Sequence, residues 1–289
     1  MKSKLVISSL FLFLASAPFT LLKSQISLQD SIYNLYIEFL NSKNESARTD
    51  NSKRFSDGLK YALQKDSKAI LSFDSLKKYK VMIESPDKKV KIFTWSIRSN
   101  DFTYIYYGIM HVYNRKQKKY EVYELKDKSA TIQNPENAIL DNTKWYGAYY
   151  YQIIENKYKN KYYYTLLGWD GNNQNTNKKL VDVLTLNDKG LPKFGDAIFY
   201  DEKGKINKRL IFEYKAGVIV SFKYDDEKKG ILFDHLSAAD PSLEGVYSFY
   251  GPDFTYDMLH FEGGKWVYVK NVNARNPKEK TDKYYNEPK

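Results

Sequence analysis

The sequence predicts a mainly β protein: an antiparallel meander, arranged as an open curved sheet, a sandwich or a propeller-like body, with one or two N-terminal helices packed on it. Three observations carry this reading. The apolar period changes from helical to two-residue near Tyr79. Beyond that point about a dozen short runs rich in tyrosine and β-branched residues follow one another. Short glycine-bearing turns such as 201–204, 215–217 and 262–264 link them, and nowhere do strands alternate with helices as a parallel sheet would require.

The elements follow in order. Leu28, Ile32, Leu35, Phe39 and Leu40 form one apolar stripe over 28–41, with Ser27 as N-cap and Asp30 complementing the helix dipole. The polar stretch 41–53 reads as a loop. Phe55, Leu59, Ala62 and Leu63 mark a second helix, which Gly58 weakens. The turn Ser85-Pro86-Asp87-Lys88 opens a strand at 90–95 and resembles the blade-opening turn of TolB-type propellers. Segments 103–113 and 120–126 form a hairpin. The polar break 129–144, with Asn134-Pro135-Glu136, has room for a helical turn. Strands are expected at 146–155, 161–168, 179–186, 197–200, 208–214, 218–224, 230–235, 247–250, 255–261 and 265–269. The organisation is a signal at 1–24, a helical segment at 25–78, a β domain at 79–276 forming one integral unit with the helices, and a flexible charged tail at 277–289.

Residues 1–24 read as a cleavable secretory signal. Lys2 and Lys4 give a positive start, 5–17 is an apolar run too short to span a bilayer, and Pro18 interrupts it before a cut between Ser24 and Gln25. Cleavage after Ala17 would leave Pro18 first, which peptidases handle poorly. The absence of cysteine removes disulfides, thiol catalysis, thiolate metal sites and a lipoprotein anchor together. The net charge of +11 comes from lysines scattered through turns such as 116–119 and 203–208 rather than gathered on one face. It reads as a solvated basic surface, and no nucleic-acid partner is expected. No later stretch has the ~18 consecutive apolar residues of a membrane span. The destination is the periplasm or the exterior, free or associated with the envelope.

No H-E-x-x-H, G-x-S-x-G, G-x-G-x-x-G or Walker A motif occurs, so no catalytic residue, metal or cofactor is assigned. His111 and His260 sit in mid-strand and read as structural. The 27 tyrosines fit half-buried strands, and runs such as 149–151 and 162–164 put rings on both faces of a strand. Two segments stand out. Trp169, Asp170 and Asn172 lie in a Trp-Asp-Gly turn whose oxygens suit a ligand, although the carboxylate spacing of a calcium loop is missing. The second segment, 234–257, reads as a long loop. It holds Asp234, His235, Tyr250, Asp253 and Asp257. Adjacent Asp234 and His235 point to opposite faces, so His235 would have to meet Asp253 or Asp257 across the sheet. Trp169, Asp170, Asn172, Tyr250 and Asp253 are the binding candidates. Asp234, His235, Asp253 and Asp257 are the acid–base candidates if chemistry occurs.

Phe73-Asp74-Ser75-Leu76, Lys144-Trp145-Tyr146-Gly147, the 165–171 segment, Asp234-His235-Leu236, Tyr250-Gly251-Pro252-Asp253 and Gly264-Lys265-Trp266 together resemble a family of uncharacterised exported proteins of Bacteroidota. The resemblance implies export and one integral domain, and carries no activity or site residue. The expectation is an exported, non-enzymatic envelope or secreted protein that binds a protein or glycan partner. The alternative is a hydrolase of glycan or peptide using carboxylates of 234–257. Mass spectrometry of the exported form is expected to show a chain starting at Gln25. A chain starting at Met1 would overturn the signal assignment.

Overall fold

The structure, a computed structural model, describes residues 17–187 and 189–274, with side chains from Leu28 onward. Most of the expected signal, residues 1–16, and the expected tail, 277–289, lie outside the described residues. The chain divides into two compact units, Met1–Tyr79 and Lys80–Lys289.

The first unit holds α1 (Ala17–Leu40), α2 (Glu45–Lys65) and α3 (Asp74–Lys78). Ser27 does not cap α1, which runs from Ala17 through the Ser24–Gln25 bond because the leucine-rich residues ahead of Ser27 continue the helix. Nor is 41–53 a loop throughout. Asn44 caps α2 by accepting from the Ala47 N–H at 2.8 Å, so the helix starts at Glu45. Gly58 earns its place inside α2: a Cβ there would come within 2.7 Å of Leu35 Cδ1, so the glycine lets α1 and α2 approach. Ile32, Tyr36 and Phe39 pack there with Phe55, Leu59 and Leu63 as a buried core. Among the described residues no helix is long and apolar enough to cross a membrane.

The second unit is mainly β, as predicted, and builds three sheets. The first is β1 (Met82–Glu84), β2 (Val90–Arg98), β3 (Tyr104–Asn114) and β4 (Lys119–Lys126), in that order. The second contains β5 (Leu140–Asp141), β6 (Tyr149–Tyr158), β7 (Lys161–Asp170), β8 (Thr176–Leu186) and β9 (Pro192–Phe194) in the order β5-β9-β8-β7-β6, with β12 (Leu210–Lys215) also paired to β8. The third is β11-β10-β16-β15-β14-β13, from β10 (Phe199–Tyr200), β11 (Ile206–Asn207), β13 (Phe222–Asp225), β14 (Gly230–Ala238), β15 (Tyr250–Glu262) and β16 (Lys265–Val269). Each path is open-ended, with β12 branching from β8 in the second sheet, so no sheet closes on itself into a barrel.

The second sheet is the middle layer. Tyr164 and Leu166 of β7 and Leu180 and Leu184 of β8 share a core with Val90, Ile92 and Met110 of the first sheet. The alternate residues Tyr163, Leu167, Val181 and Val183 share a second core with Phe222, Ile231, Leu259 and Trp266 of the third sheet. Strands buried on both faces lose polar alternation, which is why 162–168 reads as an almost unbroken apolar run. Hydrogen bonds stitch the layers: the Trp266 indole donates to Thr165 Oγ1 at 2.9 Å, and the Tyr150 N–H to Thr94 Oγ1 at 3.0 Å.

Two further expectations are corrected. The meander is not wholly antiparallel, since β10 lies parallel to β16 with Phe199 opposite Trp266. The chain leaves the second sheet after β9 and joins the third beside a strand whose direction its own hairpin sets. The segment 234–257 is mostly strand, not loop: β14 extends to Ala238 and β15 starts at Tyr250, leaving 3₁₀ turns at Pro241–Leu243 and Tyr247–Phe249 in the connection. The break at 129–144 does hold helical turns, at Ser129–Thr131 and Pro135–Asn137.

A polar chain runs through the middle layer. Asp182 in β8 and Arg209 just before β12 are both fully buried and joined Oδ2 to Nε at 3.0 Å. The Tyr150 hydroxyl also donates to Asp182 and in turn accepts from the Trp145 indole at 3.2 Å. Arg209 Nη1 reaches the carbonyls of Pro135 and Ala138. The N–H groups of Lys208 and Arg209 both donate to the Glu136 carbonyl, at 2.8 and 3.1 Å.

His111 of β3 is fully buried, and neither ring nitrogen has a hydrogen-bond partner. Burial, with the Lys91 ammonium nearby, pushes its pKa down to about 4. A depressed folded value means stability that is whole above the unfolded pKa of about 6.5 and is lost as pH falls toward 4. Between pH 7 and pH 5 this histidine is expected to remove about 2 kcal/mol of stability. Urea denaturation of His111→Leu at both pH values is expected to lose that much less than the native chain. An equal loss in both would contradict the account.

Candidate functional site

The third sheet carries an irregularity that builds the site. Asp234 pairs with Tyr256, but Leu236 pairs with Pro252, so His235 faces the three residues 253–255 of β15. The extra length is a bulge, with Phe254 left-handed at φ 69° and 93% exposed. Asp253 is held in this bulge by the Thr255 N–H at 3.0 Å and the Thr255 hydroxyl at 2.7 Å. These hydrogen bonds keep its carboxyl below the usual range, although burial alone pushes it up.

His235 therefore sits between two carboxylates. Its Nδ1 lies 2.5 Å from Asp257 Oδ2, and its Nε2 lies 3.9 Å from Asp253 Oδ2. Asp257 is 1% exposed and receives two more hydrogen bonds, from the Tyr268 hydroxyl at 2.5 Å and the Asn271 N–H at 2.9 Å. Burial, followed by the bond to Asp257, raises the Tyr268 pKa far above that of a free phenol, so Tyr268 stays a donor. Asp234 takes no part: its carboxylate accepts the Ser221 N–H at 2.7 Å.

His235 and Tyr268 open into a cleft of about 460 Å³. Phe212 and Phe233, with ring centroids 5.3 Å apart, lie along it, and Tyr268 stands edge-on to Phe233 at 5.4 Å. Glu136 comes from the Pro135–Asn137 turn, and Asp201, Lys203 and Lys205 from the turn after β10, with Tyr247 beyond them. Asp201 is occupied by the N–H groups of Lys203 and Lys205 and by the Asn207 amide. The Glu136 carboxyl is different. Burial raises its pKa above the ordinary glutamate value despite the opposing pull of Lys205 and the Ile211 N–H. Its ionised form is the one that burial disfavours.

The two segments singled out in the sequence do not share this cleft. Asp170 is buried, accepting the Tyr106 hydroxyl at 2.9 Å and the Asn172 N–H at 2.8 Å. Asn172, at φ 46°, donates to Thr176 and Glu213 and accepts from Lys178. Trp169 packs edge-on against Tyr104 at 5.4 Å. This turn is held by its own polar groups, and a Cβ on Gly171 would collide with the Tyr104 ring at 2.2 Å. Tyr250 accepts the Gly245 N–H at 2.9 Å and so fastens the 241–249 connection. Among the described residues no three His, Asp or Glu side chains converge as metal ligands.

Sequence reasoning brought His235 together with Asp253 and Asp257 and missed Glu136, Phe212, Phe233, Tyr247 and Tyr268. Pro135 signalled a turn at Glu136, but nothing local showed that the turn meets the third sheet. Comparison with protein-family models, curated proteins and solved structures finds no match.

Asp257 anchors three donors and Asp253 lies on the rim, so their loss should cost differently. Asp257→Asn is expected to destabilise by about 1–3 kcal/mol in urea denaturation, because its donors keep a weaker acceptor in a buried place. Asp253→Asn is expected to cost less than about 1 kcal/mol. The reverse ranking would contradict the arrangement.

Proposed function

We propose that this protein is an exported envelope or secreted protein that binds a glycan in the cleft beside His235 and does not transform it. The observation that carries the reading is how the polar groups are used. Asp257 has its oxygens taken by His235, Tyr268 and Asn271, and the free nitrogen of His235 lies against Asp253. A general base needs a lone pair open to substrate. A binding site needs instead a rigid wall, and this network supplies one.

Several features favour a glycan over a protein. A cleft of about 460 Å³ has room for one or two sugar rings but little more. Phe212 and Tyr247 offer ring surface to the flat C–H face of a sugar. Glu136, Lys203 and Lys205 stand around it as polar partners for hydroxyls. Export is supported by the residues of 1–24, and the resemblance to exported Bacteroidota proteins agrees with it. Scattered lysines give no continuous basic track, so nucleic acid is not the partner proposed.

One observation favours hydrolysis as the second reading: the buried Glu136 carboxyl, raised in pKa, shares the cleft with His235 and the Asp257 network. A carboxyl of raised pKa sharing a cleft with a second carboxylate is the kind of pair that glycoside hydrolysis uses. The two readings separate in one experiment. A panel of neutral and acidic oligosaccharides is titrated calorimetrically and assayed for turnover. Binding without turnover, weakened about tenfold by Tyr247→Ala, is the expected result. Turnover that disappears in Glu136→Gln would overturn the binding reading in favour of hydrolysis.

A further inference from the structure

A second pocket lies away from the His235 cleft, between the first and second sheets, and nothing in the proposed function uses it. Its volume is about 240 Å³, below what a drug-sized ligand fills and suited to one small polar group. Its walls include Lys89, Tyr113, Arg115, Asn160, Tyr162 and Tyr164.

Three cations gather at one ring of its wall, Lys89 and Arg115 from the pocket lining and Lys157 from outside it. Lys89 Nζ lies 5.0 Å from the Tyr162 centroid, the Arg115 guanidinium 5.1 Å and Lys157 Nζ 5.2 Å. The ring attracts each of them, but they repel one another. The acids nearby are already committed. Asp87 takes the Lys89 ammonium at 2.8 Å, the Tyr164 hydroxyl at 2.9 Å and the Ser85 hydroxyl at 2.7 Å. Its carboxyl is held below the usual range by these bonds against the pull of burial. Glu155 accepts the Asp87 N–H at 2.9 Å, and Asp196 pairs with Lys161 at 2.5 Å. Arg115 and Lys157 form no ion pair among the described residues.

We propose that this pocket binds a tetrahedral oxyanion, the head of a sulfate or phosphate ester. Arg115 supplies the planar fork that meets two anion oxygens at once, Lys89 adds point charge in the wall, and Lys157 adds charge from beside the Tyr162 ring. The Asn160 amide and the Tyr113 hydroxyl, neither engaged by another described side chain, are donors for the remaining oxygens. The Asp87–Tyr164 bond ties the β2 entry turn to β7, so the pocket is shaped before the anion arrives. A diffuse basic surface would have neither the fixed fork nor the shared ring.

Calorimetric titration of the full chain with glucose 6-sulfate, glucose 6-phosphate and glucose tests this. One ester or both is expected to bind and glucose to give no heat at this site; the ester bound more tightly identifies the source of the oxyanion. Arg115→Gln with Lys157→Gln is expected to weaken ester binding by roughly tenfold or more. Lys43→Gln with Lys53→Gln removes the same charge from exposed positions of the helical unit and is expected to change it less than about twofold. All four positions are exposed, and circular dichroism checks that each variant folds. The proposal is overturned if neither ester binds, if glucose binds as well as the esters, or if the two double variants weaken binding equally.

Discussion

The buried Arg209–Asp182 pair is the constraint on which the β unit depends. Two charges leave water entirely to form it, and an isolated pair of that kind gives back little net stability. What it contributes is position. Asp182 is in the middle strand of the middle sheet, and Arg209 uses Nη1 to hold the carbonyls of Pro135 and Ala138. A turn without regular strand pairing is thereby fixed to the central strand of the middle sheet. Gly195, at φ 87°, completes the arrangement, because a Cβ there would come within 2.7 Å of the Ala138 carbonyl and 3.1 Å of Arg209 Nη2.

The site depends on that anchoring. Glu136 lies inside the held turn, and its carbonyl takes both N–H groups of Lys208 and Arg209. The opposite wall is set differently, by the bulge in β15 that puts Asp253 and Asp257 on either side of His235. One wall is tied to the second sheet and the other is built into the third. The core that holds these two sheets together therefore also sets the width of the cleft.

The fold class and most strands were legible in the sequence because period, turn glycines and tyrosine-rich runs all agree. The layering was not, because two-sided burial of β7 and β8 erases the alternation that normally tells inside from outside. The start of α2 at Glu45 was hidden among polar residues whose meaning depends on Asn44 acting as a cap. At the site, strand geometry offered His235 a partner across the sheet, Asp253 or Asp257, and the close contact is with Asp257. Glu136 was not legible, since its turn meets the third sheet only through contacts between segments far apart in the chain. Tyr268, although it lies on the strand next to Asp257, read only as one more strand tyrosine. The Trp169–Asn172 turn drew attention through the same Asn and Gly residues that merely shape it.

The central claim is that the Arg209–Asp182 pair positions the Glu136 turn rather than supplying stability. Native-state hydrogen exchange of the Ala138 and Lys208 amides in Asp182→Leu/Arg209→Met tests it most directly. Arg209→Met alone leaves Asp182 charged and buried without its cation, and is expected to cost about 3–5 kcal/mol. The double variant should recover most of that stability while the two amides exchange as an open loop does. Full protection of both amides in a stable double variant would show that packing alone holds the turn, and would contradict the account.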